Sequence, residues 1–206
     1  KGPNIFPGFK DPVMNEGILT EDGWLNTGDV GYMDEDDGVY LTGRSKDLII
    51  RSGHNIDPSV IEEAIQKHPG VAMSAAVGKP DAYAGELPVV YVQLKVGAVV
   101  KEKELMEFVA DRIAEPPARP KEVIFIERMP LTAVGKIFKP QLRWELIMRE
   151  FENLLAPVRE KGVNVSVKTG EDKHYGTLVT VNINPPMKLK NSLRCCVCEV
   201  TVYINS

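Results

Sequence analysis

Two charged residues stand in segments whose composition suits the binding of a hydroxylated or phosphorylated ligand. Asp29 lies between two glycines in residues 26–31 (NTGDVG), just before a predicted hairpin strand, where its carboxylate could bind paired hydroxyls. Lys136 follows Gly135 in a predicted flexible loop, from which an ammonium group can reach negative charge developing on a phosphate. Taken singly, such an aspartate is more often a turn residue and such a lysine is usually a solvated surface group.

Two further segments combine charge or glycine with a change of structure. Residues 43–50 (GRSKDLII) set Arg44, Lys46 and Asp47 against a predicted buried strand. Charges at such a junction form solvated surface pairs or mark a hinge between domains. Residues 52–55 (SGHN) place a glycine directly before a capped helix, which fits either a plain turn or a close approach of substrate to the backbone.

Several common sites are excluded by the residues present. No GxGxxG occurs, and Gly135-Lys136 does not form a Walker P-loop because Ile137 replaces the Ser/Thr and Pro130 stands at the first glycine. The three histidines are too far apart in sequence for a local metal motif, and neither HExxH nor paired CxxC occurs. We therefore predict no metal site formed by a local sequence motif.

Composition limits the partners and the compartment. The 206 residues have a formal net charge of −4 and no basic patch, which argues against nucleic-acid binding. No apolar run approaches the roughly 18 residues of a membrane span. Three crowded cysteines, an odd number, fit reduced thiols better than a disulfide framework, so we expect a cytoplasmic protein; they are Cys195, Cys196 and Cys198.

The elements that must position these residues are a mixture of strands and helices without regular βαβ spacing, which predicts an α+β fold. A hairpin over residues 24–42 turns at the acidic residues 34–38, and Asp57 and Pro58 are typical of a helix N-cap and first helical position. The patterns predict further strands over residues 48–50, 71–77, 88–94, 122–127, 163–168, 177–184 and 196–204, and helices over residues 101–114 and from Pro140 to about residue 155.

Four of these segments, in this order, resemble the late motifs of the adenylate-forming superfamily, which contains acyl-CoA synthetases, luciferases and adenylation domains of peptide synthetases. The opening residues 2–9 (GPNIFPGF) and 21–24 (EDGW) look like the preceding motif. The resemblance covers residues 1 to about 145 and is specific because all the motifs agree at once. The four segments are residues 27–31 (TGDVG), 43–56 (GRSKDLIIRSGHNI), 85–92 (GELPVVYV) and 130–139 (PLTAVGKIFK).

The resemblance implies roles for individual residues. Asp29 matches the aspartate that binds the ribose hydroxyls of ATP or AMP, and Arg44 matches the arginine that assists it. Lys46 falls at the hinge about which a small C-terminal domain rotates between two half-reactions, and Lys136 matches the lysine that acts in the first one. Gly53, with His54 and Asn55 beside it, belongs by the same match to the loop that lines the pantetheine tunnel.

The resemblance also implies a domain organisation. Residues 1–43 would be a β-hairpin remnant of a large N-terminal domain, and residues 44–150 a mobile lid with a small mixed or antiparallel sheet and flanking helices. Residues 151–206 lie outside the resemblance and are predicted to form a small β-rich extension. Since the large domain is absent, we expect the chain to be a fragment that does not catalyse adenylation alone.

The implied reaction is that of an AMP-forming acid:CoA ligase for a carboxylic acid, in particular a fatty acid. ATP with Mg²⁺ and coenzyme A would be used, the metal being held mainly by ATP and the absent large domain. Asn55 departs from the family members that carry arginine at this position, so the resemblance implies no binding of pyrophosphate or of a CoA phosphate by this residue. An adenylation domain serving a carrier protein, a non-catalytic interaction module and a purely structural domain are the alternatives.

Overall fold

A computed structural model describes residues 1–172, 176–184 and 198–204, with side chains over residues 1–170 and 177–183. The chain divides into two compact units, Lys1–Leu48 and Ile49–Ser206, called here the first unit and the second unit. His174, Cys195 and Cys196, on which parts of the sequence analysis rest, lie outside the described residues. In the part of the chain that the structure describes, no helix has the length and apolar character needed to cross a membrane.

The first unit is built around one antiparallel hairpin. Strand β1, Asp29–Met33, pairs with β2, Val39–Arg44, and Tyr32 stacks on Tyr40 with ring centroids 5.1 Å apart. Short 3-10 turns lie at Pro12–Asn15 and Ser45–Asp47. None of residues 1–48 is buried. The predicted hairpin is confirmed, although its first strand begins at Asp29 and not near residue 24.

The second unit begins with a mixed five-stranded sheet. Its strands are β3 (Ile49–Arg51), β4 (His54–Ile56), β5 (Val71–Asp81), β6 (Gly85–Leu94) and β7 (Glu122–Phe125). The order is β4-β3-β6-β5, all antiparallel, and β7 pairs in parallel with β6. The α+β class and the small mixed sheet are therefore confirmed.

Two helices cover one face of this sheet. Helix α1, Pro58–Gln66, begins as predicted, because the Asp57 carboxylate accepts a hydrogen bond from the Ser59 amide at 2.9 Å. Helix α2, Glu102–Ala110, follows, and a 3-10 turn lies at Pro116–Ala118. The core beneath them contains Ile49, Ile56, Ile61, Ile65, Leu105, Val109 and Ile113.

Two apolar residues here are exposed, one of them in the strand over residues 48–50 that was predicted to be buried. Ile50 is 53% exposed because successive strand residues alternate between faces, and its neighbour Ile49 takes the inward position. Val60 is 48% exposed because Ile61, Ala64 and Ile65 form the buried stripe of α1.

Helix α3, Lys139–Glu160, joins two further cores. Leu142 and Leu146 pack with Tyr91 of β6 and with Met129, which follows β7, whereas Ile147 packs with strands of the C-terminal extension. The helix passes Pro157 and ends five residues later than the predicted limit near residue 155. The predicted boundary between residues 150 and 151 therefore falls inside a continuous helix.

The extension itself is a three-stranded antiparallel sheet with the order β10-β9-β8. The strands are β8 (Asn164–Asp172), β9 (Gly176–Asn184) and β10 (Cys198–Ile204), close to the three strands predicted. Val165, Val179 and Val181 are buried against α3, with Phe151 and Leu155 packed around them. Helix α3 thus packs both against the extension sheet and against the main sheet.

Candidate active-site segments

Asp29 and Arg44 face each other at the open end of the hairpin in the first unit. They are the terminal pair of the β1–β2 ladder, and Arg44 Nε lies 3.0 Å from Asp29 Oδ1. The Asp29 amide donates to Thr27 Oγ1 at 3.2 Å, and the Ser45 amide donates to the Gly28 carbonyl at 2.9 Å. Local hydrogen bonds therefore fix the backbone on both sides of the pair.

The pair could bind a diol. The Asp29 side chain is 29% exposed and that of Arg44 is 65% exposed, so both remain accessible. A carboxylate accepts several hydrogen bonds at once, and a guanidinium within hydrogen-bond distance orients it. The two residues that the sequence assigned to one ligand are thus brought together by strand register.

Lys46 lies in the 3-10 turn Ser45–Asp47, immediately before the division between the first and second units. A segment of this kind, which belongs to neither sheet, is where a hinge is expected. The hinge assignment stays a prediction.

Gly53 lies at the tip of a tight hairpin formed by β3 and β4, called here the Gly53 hairpin (residues 49–56). Arg51 pairs with His54, so the turn contains only Ser52 and Gly53. Both have positive φ, 49° and 83°, which is the geometry of a type I′ turn. No atom lies within 4 Å of the position that a Cβ on Gly53 would take. The space above the turn is therefore open to a ligand.

Neighbouring elements hold this tip in place. The Ser52 amide donates to the Ala84 carbonyl at 2.7 Å, and Arg51 Nη1 donates to the Pro117 carbonyl at 2.6 Å. Ala84 is fixed in turn by Asp81, whose carboxylate accepts from the Ala84 and Tyr83 amides at 2.8 and 3.0 Å. These hydrogen bonds hold the pKa of Asp81 below its usual value. No local sequence pattern predicts Arg51 or Asp81 as supports of this tip.

Two clefts adjoin the Gly53 hairpin. One, of about 320 Å³, is lined by Arg51, His54 and Lys121 together with Ser52 and two prolines, and so by basic but no acidic side chains. The other, of about 360 Å³, includes Asn55 and contains both Arg112 and Glu115. His54 and Asn55, predicted to lie beside Gly53, therefore line different clefts.

Lys136 lies on a second, smaller hairpin, called here the Lys136 hairpin (residues 131–137). Leu131 bridges Ile137, and at its base the Phe138 amide donates to the Pro130 carbonyl at 2.9 Å. Gly135 has a φ of 79°, and Lys136 itself is exposed. The predicted loop is thus a closed turn that presents the lysine to solvent. A cleft of about 350 Å³ lies at its base, lined in part by Arg128, Gln141 and Glu145.

Within the described residues, no three His, Cys, Asp or Glu side chains converge closely enough to hold a metal ion.

Comparisons with known proteins agree with the motif assignment. Residues 60–136 match the AMP-binding enzyme C-terminal domain. The chain is 46% identical over 182 residues to the marinolic acid–CoA ligase of Pseudoalteromonas sp. (strain SANK 73390), an alignment that covers 88% of the chain and 28% of that protein. It is 41% identical over 153 residues to the long-chain-fatty-acid–CoA ligase of Bacillus subtilis (strain 168), covering 74% of the chain and 26% of that protein.

A solved structure gives the same result. The ATP-bound MatB of Rhodopseudomonas palustris is 37% identical, with a TM-score of 0.65 over 69% of the chain and 28% of that protein. The chain therefore spans less than a third of the length of these relatives. An alignment that covers 88% of the chain must include residues from about 26 to 181, so similarity to the marinolic acid–CoA ligase extends into the extension sheet.

The motifs, the α+β fold and these likenesses agree: the chain contains an AMP-binding enzyme C-terminal domain and matches the C-terminal part of acyl-CoA synthetases of the adenylate-forming superfamily.

Proposed function

We propose that the chain is part of an acid–thiol ligase that converts a carboxylic acid, ATP and CoA into acyl-CoA, AMP and pyrophosphate through an acyl-adenylate. The observation that carries the proposal is 46% identity to a CoA ligase over 88% of the chain. Lys136, the residue proposed for the first half-reaction, lies at the end of the matched family domain. ATP, complexed with Mg²⁺, and CoA are the proposed co-substrates, and the odd number of cysteines supports a cytoplasmic location.

Asp29 and Arg44 are proposed to bind the ribose hydroxyls of ATP and then AMP. Their 3.0 Å ion pair supports this role, since it orients the carboxylate while leaving it accessible. Lys136 would stabilise negative charge during adenylation. The open space around Gly53 supports its proposed place against the pantetheine arm in thioester formation, with His54 and Asn55 nearby.

Alternation between the half-reactions would need the domain boundary to move. Lys46, in the turn that precedes the boundary of the two units, is the proposed hinge. We propose residues 1–43 as the end of a large domain, residues 44–150 as the lid and residues 151–206 as an accessory extension.

The proposed acid is a fatty acid. Support comes from the 41% identity to a long-chain-fatty-acid–CoA ligase. The acid-binding pocket would lie in the preceding large domain, and the 206-residue chain alone is proposed to be inactive.

The test uses the full-length enzyme and compares wild type with Lys136→Ala. Pyrophosphate exchange measures adenylation, and thioester formation from preformed acyl-adenylate measures the second step, each with short, medium and long acids. We expect Lys136→Ala to lower adenylation by about a hundredfold or more, because it removes charge stabilisation from the transition state, and to leave thioester formation intact. The matched control is Lys103→Ala, which removes an exposed lysine on α2.

Two results would contradict the proposal. Unchanged adenylation in Lys136→Ala would remove the assigned role of this residue. Transfer of the acyl group to a phosphopantetheine carrier protein but not to free CoA would favour an adenylation domain that serves a carrier.

A further inference from the structure

Thr132 lies directly across the Lys136 hairpin from Lys136. Its amide donates to the Lys136 carbonyl at 2.7 Å, and its own carbonyl accepts from the Gly135 amide at 2.9 Å. In addition, the Lys136 amide donates to Thr132 Oγ1 at 3.1 Å. The peptide groups on both sides of the Lys136 Cα are therefore bonded to this one residue.

Only one of the three bonds depends on the threonine side chain. The two backbone bonds could form with any residue at position 132, whereas the bond from the Lys136 amide needs an acceptor on the side chain. A valine at this position would keep the shape and β-branching but leave that amide to water. Serine would keep the acceptor. The hydroxyl can thus be tested separately from the shape of the side chain.

Lys136 has little else to fix its backbone. The residues between Thr132 and Lys136 are exposed, and Val134 is 80% exposed. In the described part of the chain, no ion pair of the Lys136 ammonium is found. A lysine side chain is long and flexible, so a rotation of its backbone displaces the ammonium by several ångströms. Thr132, by contrast, is half-buried at the base of the turn.

We propose that Thr132 is a positioning residue for adenylation: its hydroxyl, by accepting the Lys136 amide, sets the direction in which the lysine leaves the hairpin. The inference rests on the proposed role of Lys136. Misplacement of a catalytic group by about 1 Å can reduce a rate by up to about a hundredfold, so the loss of one such bond has a measurable kinetic effect.

The experiment measures both half-reactions of the full-length enzyme in Thr132→Val, Thr132→Ser and Lys136→Ala, and in the double variant Thr132→Val/Lys136→Ala. We expect Thr132→Val to lower kcat for adenylation about tenfold with KM for ATP changed less than about twofold, since a transition-state contact is weakened. Thr132→Ser should restore the rate to within about threefold of wild type. Thioester formation from preformed acyl-adenylate should be unchanged in Thr132→Val and in Thr132→Ser.

The double variant separates positioning from other effects. If Thr132 acts through Lys136, adding Thr132→Val to Lys136→Ala lowers adenylation no further. A further tenfold loss, an equal loss in both half-reactions, or wild-type adenylation in Thr132→Val would each overturn the inference. Wild-type adenylation in Thr132→Val beside a large loss in Lys136→Ala leaves the proposed function standing. Wild-type adenylation in Lys136→Ala overturns both the inference about Thr132 and the proposed role of Lys136.

Discussion

The Gly53 hairpin and the Lys136 hairpin have similar tips but different supports. Each carries a glycine with positive φ, 83° at Gly53 and 79° at Gly135, and neither has an atom within 4 Å of the position of an added Cβ. The Gly53 hairpin is part of the main sheet, with Ile49 and Ile56 in the core and two hydrogen bonds from its tip to other elements.

The Lys136 hairpin depends on itself. Its base rests on the second core through Ile137, and in the described part of the chain the hydrogen bonds of residues 132–136 stay within the hairpin. Segments with few outside contacts open locally at a lower free energy than segments held in a sheet. A tip held by other elements suits the proposed place of Gly53 against the pantetheine arm, whereas a self-supported tip suits the proposed contact of Lys136 with the reacting phosphate.

The sharpest test of this contrast makes the same substitution in each tip. Alanine with positive φ is strained by about 1–2 kcal/mol where the backbone cannot relax. We therefore expect Gly53→Ala to lower the free energy of unfolding of the second unit by about 1–2 kcal/mol, and Gly135→Ala to lower it by less than about 0.5 kcal/mol, because its hairpin can adjust. Urea denaturation of the 206-residue chain measures both.

Gly97→Ala is the matched control, since Gly97 has a φ of 80° in a loop outside both hairpins and an equally open surrounding. Equal destabilisation by Gly53→Ala and Gly135→Ala would show that the two tips are equally constrained. The proposed difference between the hairpins would then be wrong.

A second test addresses the core beneath the Lys136 hairpin. Tyr91 is buried there, and its hydroxyl donates to the Leu142 carbonyl in α3 at 3.3 Å. Tyr91→Phe should lower the free energy of unfolding by about 1 kcal/mol near neutral pH, because a buried acceptor loses a donor. Chemical denaturation of both proteins at several pH values measures the difference.

The same variant has a predicted pH dependence. Burial, followed by the nearby Glu145 carboxylate, raises the pKa of the Tyr91 hydroxyl well above its ordinary value. Because the pKa of Tyr91 is raised in the folded protein, its contribution to the free energy of unfolding is fully present below the unfolded pKa near ~10. Above that pH the contribution decreases by up to about 1.4 kcal/mol per pH unit. The advantage of wild type over Tyr91→Phe should therefore shrink above pH ~10. A constant difference would show that Tyr91 ionises freely in the folded protein.

The contrast also separates what the sequence predicts from what it does not. Asp57 and Pro58 predicted the start of α1 because capping is local, and the alternating strands of the extension were predicted for the same reason. The shared packing of the extension and the main sheet was not predicted, because the helix was expected to end near residue 155. The packing of Phe151 and Leu155 instead accompanies a helix that continues past Pro157 to Glu160.

Among the candidate site residues, too, those in local motifs could be predicted and those that depend on long-range contacts could not. Asp29, Gly53 and Lys136 could be selected because motifs are contiguous, and strand register then explains why Arg44 meets Asp29. The supports are different: the bond from Arg51 to the Pro117 carbonyl joins residues 66 positions apart, and no local pattern announces it. Thr132 is the exception, since a hydroxyl four positions before a loop lysine is visible in the sequence.

The smallest expected effect concerns the support of the Gly53 tip. Asp81 accepts the Ala84 and Tyr83 amides, and the Ala84 carbonyl accepts the Ser52 amide. The hydrogen bond from the Ala84 amide, followed by that from the Tyr83 amide, lowers the pKa of Asp81 in the folded protein. The stabilisation of the folded turn by Asp81 is therefore present above the unfolded pKa near ~3.9 and is lost as pH falls through the lower folded pKa. The Ser52 amide should therefore lose part of its protection from hydrogen exchange between pH ~5 and pH ~2.

Asp81→Asn is the matched variant, because its amide oxygen still accepts hydrogen bonds but does not titrate. In this variant the protection of the Ser52 amide, corrected for the intrinsic exchange rate, should be independent of pH over this range. The Lys136 amide, which has no link to Asp81 among the described contacts, should show the same protection in wild type and in Asp81→Asn. If the Ser52 amide in wild type keeps constant protection down to pH ~2, the Asp81 turn does not stabilise the tip. The firm support of the Gly53 hairpin would then rest on Arg51 and the sheet alone.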